Sequence, residues 1–63
     1  MSSAELDYVR TQLLDVYTPE GAEVWLTSRH RLLDGQRPTD LIALGEGERV
    51  LTLVAQLQDG AFA

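Results

Sequence analysis

The chain contains no cysteine and no lysine, and its aromatic residues are one tryptophan, two tyrosines and one phenylalanine. The absence of cysteine excludes a disulfide framework and thiolate metal sites, which commonly stabilise very small domains. No apolar run approaches the roughly 20 residues needed to span a bilayer. The first residues lack the basic start and apolar stretch of a signal peptide. We therefore expect a cytoplasmic protein.

Charge and length narrow the function classes further. The 63 residues include 5 basic and 10 acidic side chains, which give a net charge of −5. Such a chain does not attract phosphate backbones over long range, so nucleic-acid binding is disfavoured. A hydrophobic content of 44% supports a packed core. A chain this short nevertheless buries only about 60% of its unfolded surface, which argues against an enzyme with a deep pocket.

Helical periodicity predicts an all-α fold, a bundle of four short helices in one domain, 1–63. Ser2 and Glu5 have capping-box spacing and open a helix from Ser3 to about Val16. Its expected apolar face consists of Leu6, Val9, Leu13, Leu14 and Tyr17. Thr18 and Pro19 then favour a second helix start, with the helix ending near Thr27 or Ser28.

The second half of the chain contains two more predicted helices. Pro38 opens a short helix that Gly45 ends, and the last helix runs from about Glu46 to Gln58. The apolar face of the last helix consists of Val50, Leu53, Val54 and Leu57. The glycines at 45, 47 and 60 are interpreted as helix punctuation.

The segment 29–37 is predicted to be an ordered loop held by Leu33, with Leu32 as a second candidate. Asp34-Gly35 indicates a turn, but without flanking alternation we do not expect a hairpin. The loop contains the one basic patch of the sequence: Arg29, His30, Arg31 and Arg37. This patch is either a solvated turn or a contact surface for an acidic partner or a phosphate-bearing ligand, since arginine binds carboxylates bidentately.

Catalysis and metal binding find little support. Ser28, His30 and Asp34 are the residue types of a catalytic triad, but three residues on one loop rarely hold that geometry. One histidine and scattered carboxylates lack the convergent ligands of a zinc site. We predict no enzyme activity, catalytic residue, cofactor or metal. Trp25 is expected to anchor the core, whereas Phe62 either folds back on the bundle or docks into a partner.

Several residues between Ala22 and Phe62 follow a recognisable order: a Trp-Leu pair, a Gly-bearing turn, a helix-opening proline, and a last helix that ends in glycine. They are Trp25, Leu26, Leu33, Gly35, Pro38, Leu41, Gly47, Val50 and Gly60. This order resembles the toxin-binding domain of Xre/MbcA/ParS-type antitoxins. Arg29 and His30 replace a Pro-Asn pair of that pattern, and Asp34 and Gln36 replace the more usual Gly and Arg.

The resemblance implies a fold, a function and a partner. Segment 21–63 would be the toxin-binding part, preceded by an N-terminal helix and connector over 1–20. Trp25, Leu26, Leu33, Gly35 and Pro38 would be structural. Family members bind a RES-domain toxin, an enzyme that degrades NAD, and cover its active-site entrance. The expected partner-binding residues are the basic patch and the tail Gly60, Ala61, Phe62 and Ala63.

Two other functions remain open at the level of sequence. The chain could be a stand-alone regulator, encoded by a phage or mobile element, that dimerises or engages a host antitoxin or repressor. It could also bind DNA through the basic patch. The helix-turn-helix domain that usually precedes this segment in such antitoxins has no counterpart in residues 1–20, and the acidic charge also argues against DNA binding.

Overall fold

The computed structural model describes residues 3–60 and confirms an all-α bundle of four short helices. The helices are α1 (Ser3–Leu13), α2 (Pro19–Thr27), α3 (Pro38–Ala43) and α4 (Gly47–Gln58), with a single 3-10 turn over Arg31–Leu33 between α2 and α3. The described residues contain no strand beyond one antiparallel bridge between His30 and Gln36. None of their helices is long and apolar enough to cross a bilayer.

Two helix starts follow the sequence signals closely. The Thr18 hydroxyl accepts a hydrogen bond from the backbone N–H of Gly21 at 3.1 Å, and Pro19 occupies the first turn of α2. Pro38 is likewise the first residue of α3. The predicted partner of Glu5 in a capping box, Ser2, lies outside the described residues.

The first helix ends at Leu13, so the prediction that it extends to about Val16 was wrong. After Leu13 the backbone tightens, and Val16 N–H donates to the Leu13 carbonyl, three residues back, at 3.0 Å. Thr18 must be extended to cap α2, with φ −68° and ψ 164°, which forces the helix to end before it. Leu14 and Val16 are about half exposed and gain little burial that would favour a longer helix.

The core consists of eleven buried apolar side chains from all four helices and the 3-10 turn. They are Val9, Leu13, Ala22, Trp25, Leu26, Leu33, Leu41, Ile42, Val50, Leu53 and Val54. Leu6, Tyr17, Leu51 and Leu57 pack against them as partly buried neighbours. Helix α4 contributes three of the buried residues from one face and packs against α1 and α3. It therefore forms the central support of the bundle.

The glycines next to α4 have different roles. Gly45 has φ +81° and ends α3 in the left-handed conformation, as predicted. Gly47 is instead the buried first residue of α4, and the Glu5 carboxylate lies directly over it. A side chain at position 47 would collide with that carboxylate, so Gly47 allows α1 to approach the start of α4.

Candidate partner-binding surface

The segment between α2 and α3 is a tight reversal of the chain. Asp34 (φ +58°) and Gly35 (φ +77°) are both left-handed, the backbone that Asp-Gly adopts in type I′ turns. The Gln36 N–H donates to the Leu33 carbonyl at 3.0 Å, and the His30 N–H donates to the Gln36 carbonyl at 3.2 Å. The loop is ordered as expected, with the turn at Asp34-Gly35. A single bridge closes it and no strands within residues 3–60 flank it, so the prediction that no hairpin forms is confirmed.

His30 attaches this reversal to α2. Its Nε2 lies 2.7 Å from the Trp25 carbonyl oxygen. Because a carbonyl can only accept, Nε2 carries the proton and donates it. The imidazole also lies against the indole of Trp25, with ring centroids 4.6 Å apart and planes tilted by 33°. His30 therefore faces the bundle, not a partner.

The three arginines of the basic patch have different environments. Arg29 Nη1 donates to the Gly35 carbonyl at 3.2 Å, and no carboxylate of residues 3–60 pairs with its charge. Arg37 Nη1 lies 3.7 Å from Asp40 Oδ2 at the start of α3. Arg31 is exposed, and its guanidinium makes no hydrogen bond or ion pair with any other residue in 3–60. Arg31 is thus the arginine of the patch that is best placed to contact a partner.

Sequence reasoning missed Arg49, which braces the reversal from α4. Its Nη2 donates to Asp34 Oδ2 at 2.7 Å, and its Nη1 donates to Glu46 Oε1 at 3.4 Å. These hydrogen bonds, chiefly the one to Asp34, raise the pKa of Arg49 above its usual value. The spacing of Glu46 and Arg49 on α4 was visible in the sequence, whereas the pairing of Arg49 with Asp34 depends on the tertiary fold.

A second arginine joins two helices on the other side of the bundle. Arg10 of α1 donates to Glu23 of α2 at 2.5 Å and to Asp7 at 3.0 Å. The hydrogen bond with Glu23 is the main reason that the pKa of Arg10 is raised. Arg10 is therefore already neutralised by carboxylates, in contrast to Arg31.

A shallow, open groove of about 300 Å³ lies between the reversal and α4. Its lining residues are Leu32, Leu33, Arg49, Thr52, Leu53 and Gln56. Leu33 and Leu53 are buried and form an apolar floor, whereas 62% of Leu32 is exposed at the edge. Leu33 is the leucine that packs the loop into the core, so Leu32 does not have the anchoring role for which it was a candidate.

The residue types of a catalytic triad are not joined to each other. The Ser28 hydroxyl donates to the Val24 carbonyl at 2.5 Å, His30 donates to Trp25, and Asp34 accepts from Arg49. No group of three metal-ligating side chains occurs within residues 3–60. The surface offers an apolar edge, polar groups and an unpaired guanidinium, which suit binding.

The predicted tail follows the end of α4, which is hydrogen-bonded to residues at the end of α1. The Gln58 amide donates to Gln12 Oε1 at 2.8 Å and to Asp15 Oδ2 at 3.0 Å, which ties the end of α4 to the end of α1. Gly60 has φ +71°, and its N–H donates to the Leu57 carbonyl at 3.2 Å. Ala61, Phe62 and Ala63 lie outside the described residues.

Comparison with known protein families identifies the family of this chain. Residues 12–60 match the profile of the antitoxin Xre/MbcA/ParS C-terminal toxin-binding domain. The chain belongs to this family. The match extends from the end of α1 to Gly60, so it includes α2, the reversal, α3 and α4.

Curated antitoxins give the same result. The antitoxin domain is 41% identical over 58 residues to the mycobacterial cidal antitoxin MbcA of Mycobacterium tuberculosis and of Mycobacterium bovis. The aligned residues make up 92% of this chain and 51% of each relative. It is 46% identical over 50 residues to a probable mycobacterial cidal antitoxin, Rv3188, of M. tuberculosis. These residues make up 79% of this chain and 44% of that relative. The chain therefore spans about half the length of these relatives. No solved structure matches it significantly.

Proposed function

We propose that this antitoxin domain binds a protein toxin and neutralises it without catalysing a reaction of its own. The observation that carries the proposal is the match of residues 12–60 to a toxin-binding domain. The geometry supports it because the matched segment holds an ordered, arginine-bearing reversal on a rigid bundle. A preformed surface loses little conformational entropy on binding.

The expected target is a RES-domain toxin that degrades NAD. The domain would cover the entrance to the toxin's active site with two elements, the basic patch at 29–37 and the tail from Gly60 to Ala63. Arg31 and Arg29 favour an acidic rim on the toxin, since the other arginines are already paired with carboxylates. The anchored end of α4 supports the tail's role because it fixes the point from which the tail leaves.

Co-expression with a cognate RES-domain toxin in a bacterial host tests the proposal. We expect growth to be restored, cellular NAD to be preserved, and the two proteins to purify together. A matched strain expresses the antitoxin domain with Trp25→Ala, which should lose its fold and with it the protection.

Continued growth arrest without co-purification would refute the proposal. A tight homodimer indifferent to the toxin, detected by light scattering after size exclusion, would instead support a stand-alone regulator. A gel shift at moderate salt would reveal binding to DNA, the remaining alternative.

A further inference from the structure

Six large apolar side chains are substantially exposed in residues 3–60, and one of them differs from the rest. They are Tyr8, Leu14, Val16, Val24, Leu32 and Leu44. Leu32 is the member of this set that borders the groove, and it is also the member with an arginine as a direct chain neighbour. Tyr8 and Val24, by contrast, directly follow a carboxylate residue.

The groove beside Leu32 is preformed. Its floor residues, Leu33 and Leu53, belong to the core, and its far side is the surface of α4 with Thr52 and Gln56. Arg49 closes one side of the groove while bonded to Asp34 of the reversal. This ion pair joins the two walls, while the buried Leu33 and Leu53 fix the floor, so a side chain entering the groove meets a surface that is already formed.

Two arginines, Arg49 in the groove wall and Arg31 directly before Leu32 in the chain, bear on the chemistry of the partner. Asp34 and Glu46 neutralise Arg49, so its charge is not available to a partner. Arg31 has no such carboxylate within residues 3–60, although the chain has twice as many acidic as basic side chains. An unpaired guanidinium beside an exposed leucine is complementary to a carboxylate beside an apolar side chain.

We propose that the Leu32 groove receives an apolar side chain of the toxin while Arg31 binds a toxin carboxylate next to it. This inference rests on the proposed function and assigns its main contact to the edge of the reversal and α4, not to the basic patch as a whole. A groove of about 300 Å³ has room for one or two side chains, as is typical of a binding hot spot. His30 and Arg37 already have partners within the bundle, the Trp25 carbonyl and Asp40.

Binding of a purified, catalytically inactive RES-domain toxin, measured by calorimetry, tests the assignment. We expect Leu32→Ser to raise the dissociation constant about tenfold or more, because a central apolar contact would be lost. Thr52→Arg should act similarly by filling the groove. Arg31→Glu should weaken binding by at least as much and should reduce its dependence on salt.

Two matched variants remove an equally exposed apolar side chain elsewhere. Leu44 and Val24 are 68% and 63% exposed, against 62% for Leu32. Leu44→Ser and Val24→Ser should therefore bind the toxin within about twofold of the unaltered chain, since a twofold change is a small fraction of a hot-spot effect. Circular dichroism should show that all variants remain helical.

The outcomes separate this inference from the proposed function. If the unaltered chain binds the toxin and the Leu32 and control variants bind equally well, the groove assignment is wrong and the proposed function stands. If Leu32→Ser instead dissociates a homodimer without weakening toxin binding, the groove is a contact between copies and the assignment is again wrong. If the unaltered chain does not bind the toxin at all, both proposals are refuted.

Discussion

The helical core and the reversal at 29–37 are stabilised by different forces. The core depends on buried apolar side chains, eleven of which are at most 7% exposed. The reversal contributes only Leu33 to that core. It is held mainly by backbone hydrogen bonds, two left-handed residues, and polar contacts from His30, Arg29 and Arg49. Apart from Leu33, the side chains of the reversal therefore contribute little to the apolar core.

This difference has a consequence for sequence variation. Apolar packing tolerates little change in volume, because interiors are close-packed. A loop held by its backbone can change its outward side chains without losing its shape. Arg29 and His30, at which we expect a departure from the family's pattern, lie in this second region. There His30 forms its own attachment to Trp25.

The comparison is most strongly tested at Trp25. Truncation by Trp25→Ala should cost about 3–5 kcal/mol, similar to the whole stability of so small a domain, and should unfold it. The neighbouring change Val24→Ala serves as a control, because Val24 is exposed and should barely alter stability. Thermal unfolding followed by circular dichroism measures both. A Trp25→Ala variant with an unchanged melting temperature would show that the indole does not anchor the core.

The attachment between the two regions is tested at His30. His30→Ala removes the side-chain donor to the Trp25 carbonyl, which keeps its hydrogen bond from the Ser28 N–H, and it also removes the contact of the imidazole with the indole. We expect the free energy of unfolding to fall by about 1–2 kcal/mol. Relative to the unaltered chain, the variant should show accelerated amide hydrogen exchange in 29–37 and little acceleration in α4. Equal acceleration in both regions would contradict a local attachment, whereas no change would show that the bond is not significant.

The backbone of the reversal is tested at Gly35. A Cβ there has free space, so Gly35→Ala isolates the cost of a left-handed backbone, about 1 kcal/mol. Chemical denaturation provides the measurement, and Gln36→Ala, next in the chain, is a suitable control. A stability equal to that of the unaltered chain would mean that the reversal adopts another turn at little cost.

The smallest expected effect is at the exposed ion pairs. Arg49→Gln removes the contacts to Asp34 and Glu46, and we expect a smaller shift in melting temperature than for Gly35→Ala. That shift should largely vanish at about 0.5 M salt, where screening weakens surface pairs. A large shift that is independent of salt would place Arg49 among the structural residues of the core.

Local signals in the sequence determined much of this protein. The cap at Thr18, the helix-opening residues Pro19 and Pro38, the left-handed glycine at 45 and the apolar face of α4 are each properties of a few adjacent residues. Each is where the sequence places it. The order of such residues from Trp25 to Gly60 was also sufficient to indicate the family.

The tertiary structure decided which side chains are free to act. Helix α1 stops at Leu13 because the next helix needs its cap, and His30 turns inward because a carbonyl of α2 lies within reach. Arg49 reaches Asp34 across 15 positions, and Leu32 is left at the edge of a groove. Partners distant in the chain meet only after the helices pack, so composition and spacing could identify a basic loop but not the member of it that remains unpaired.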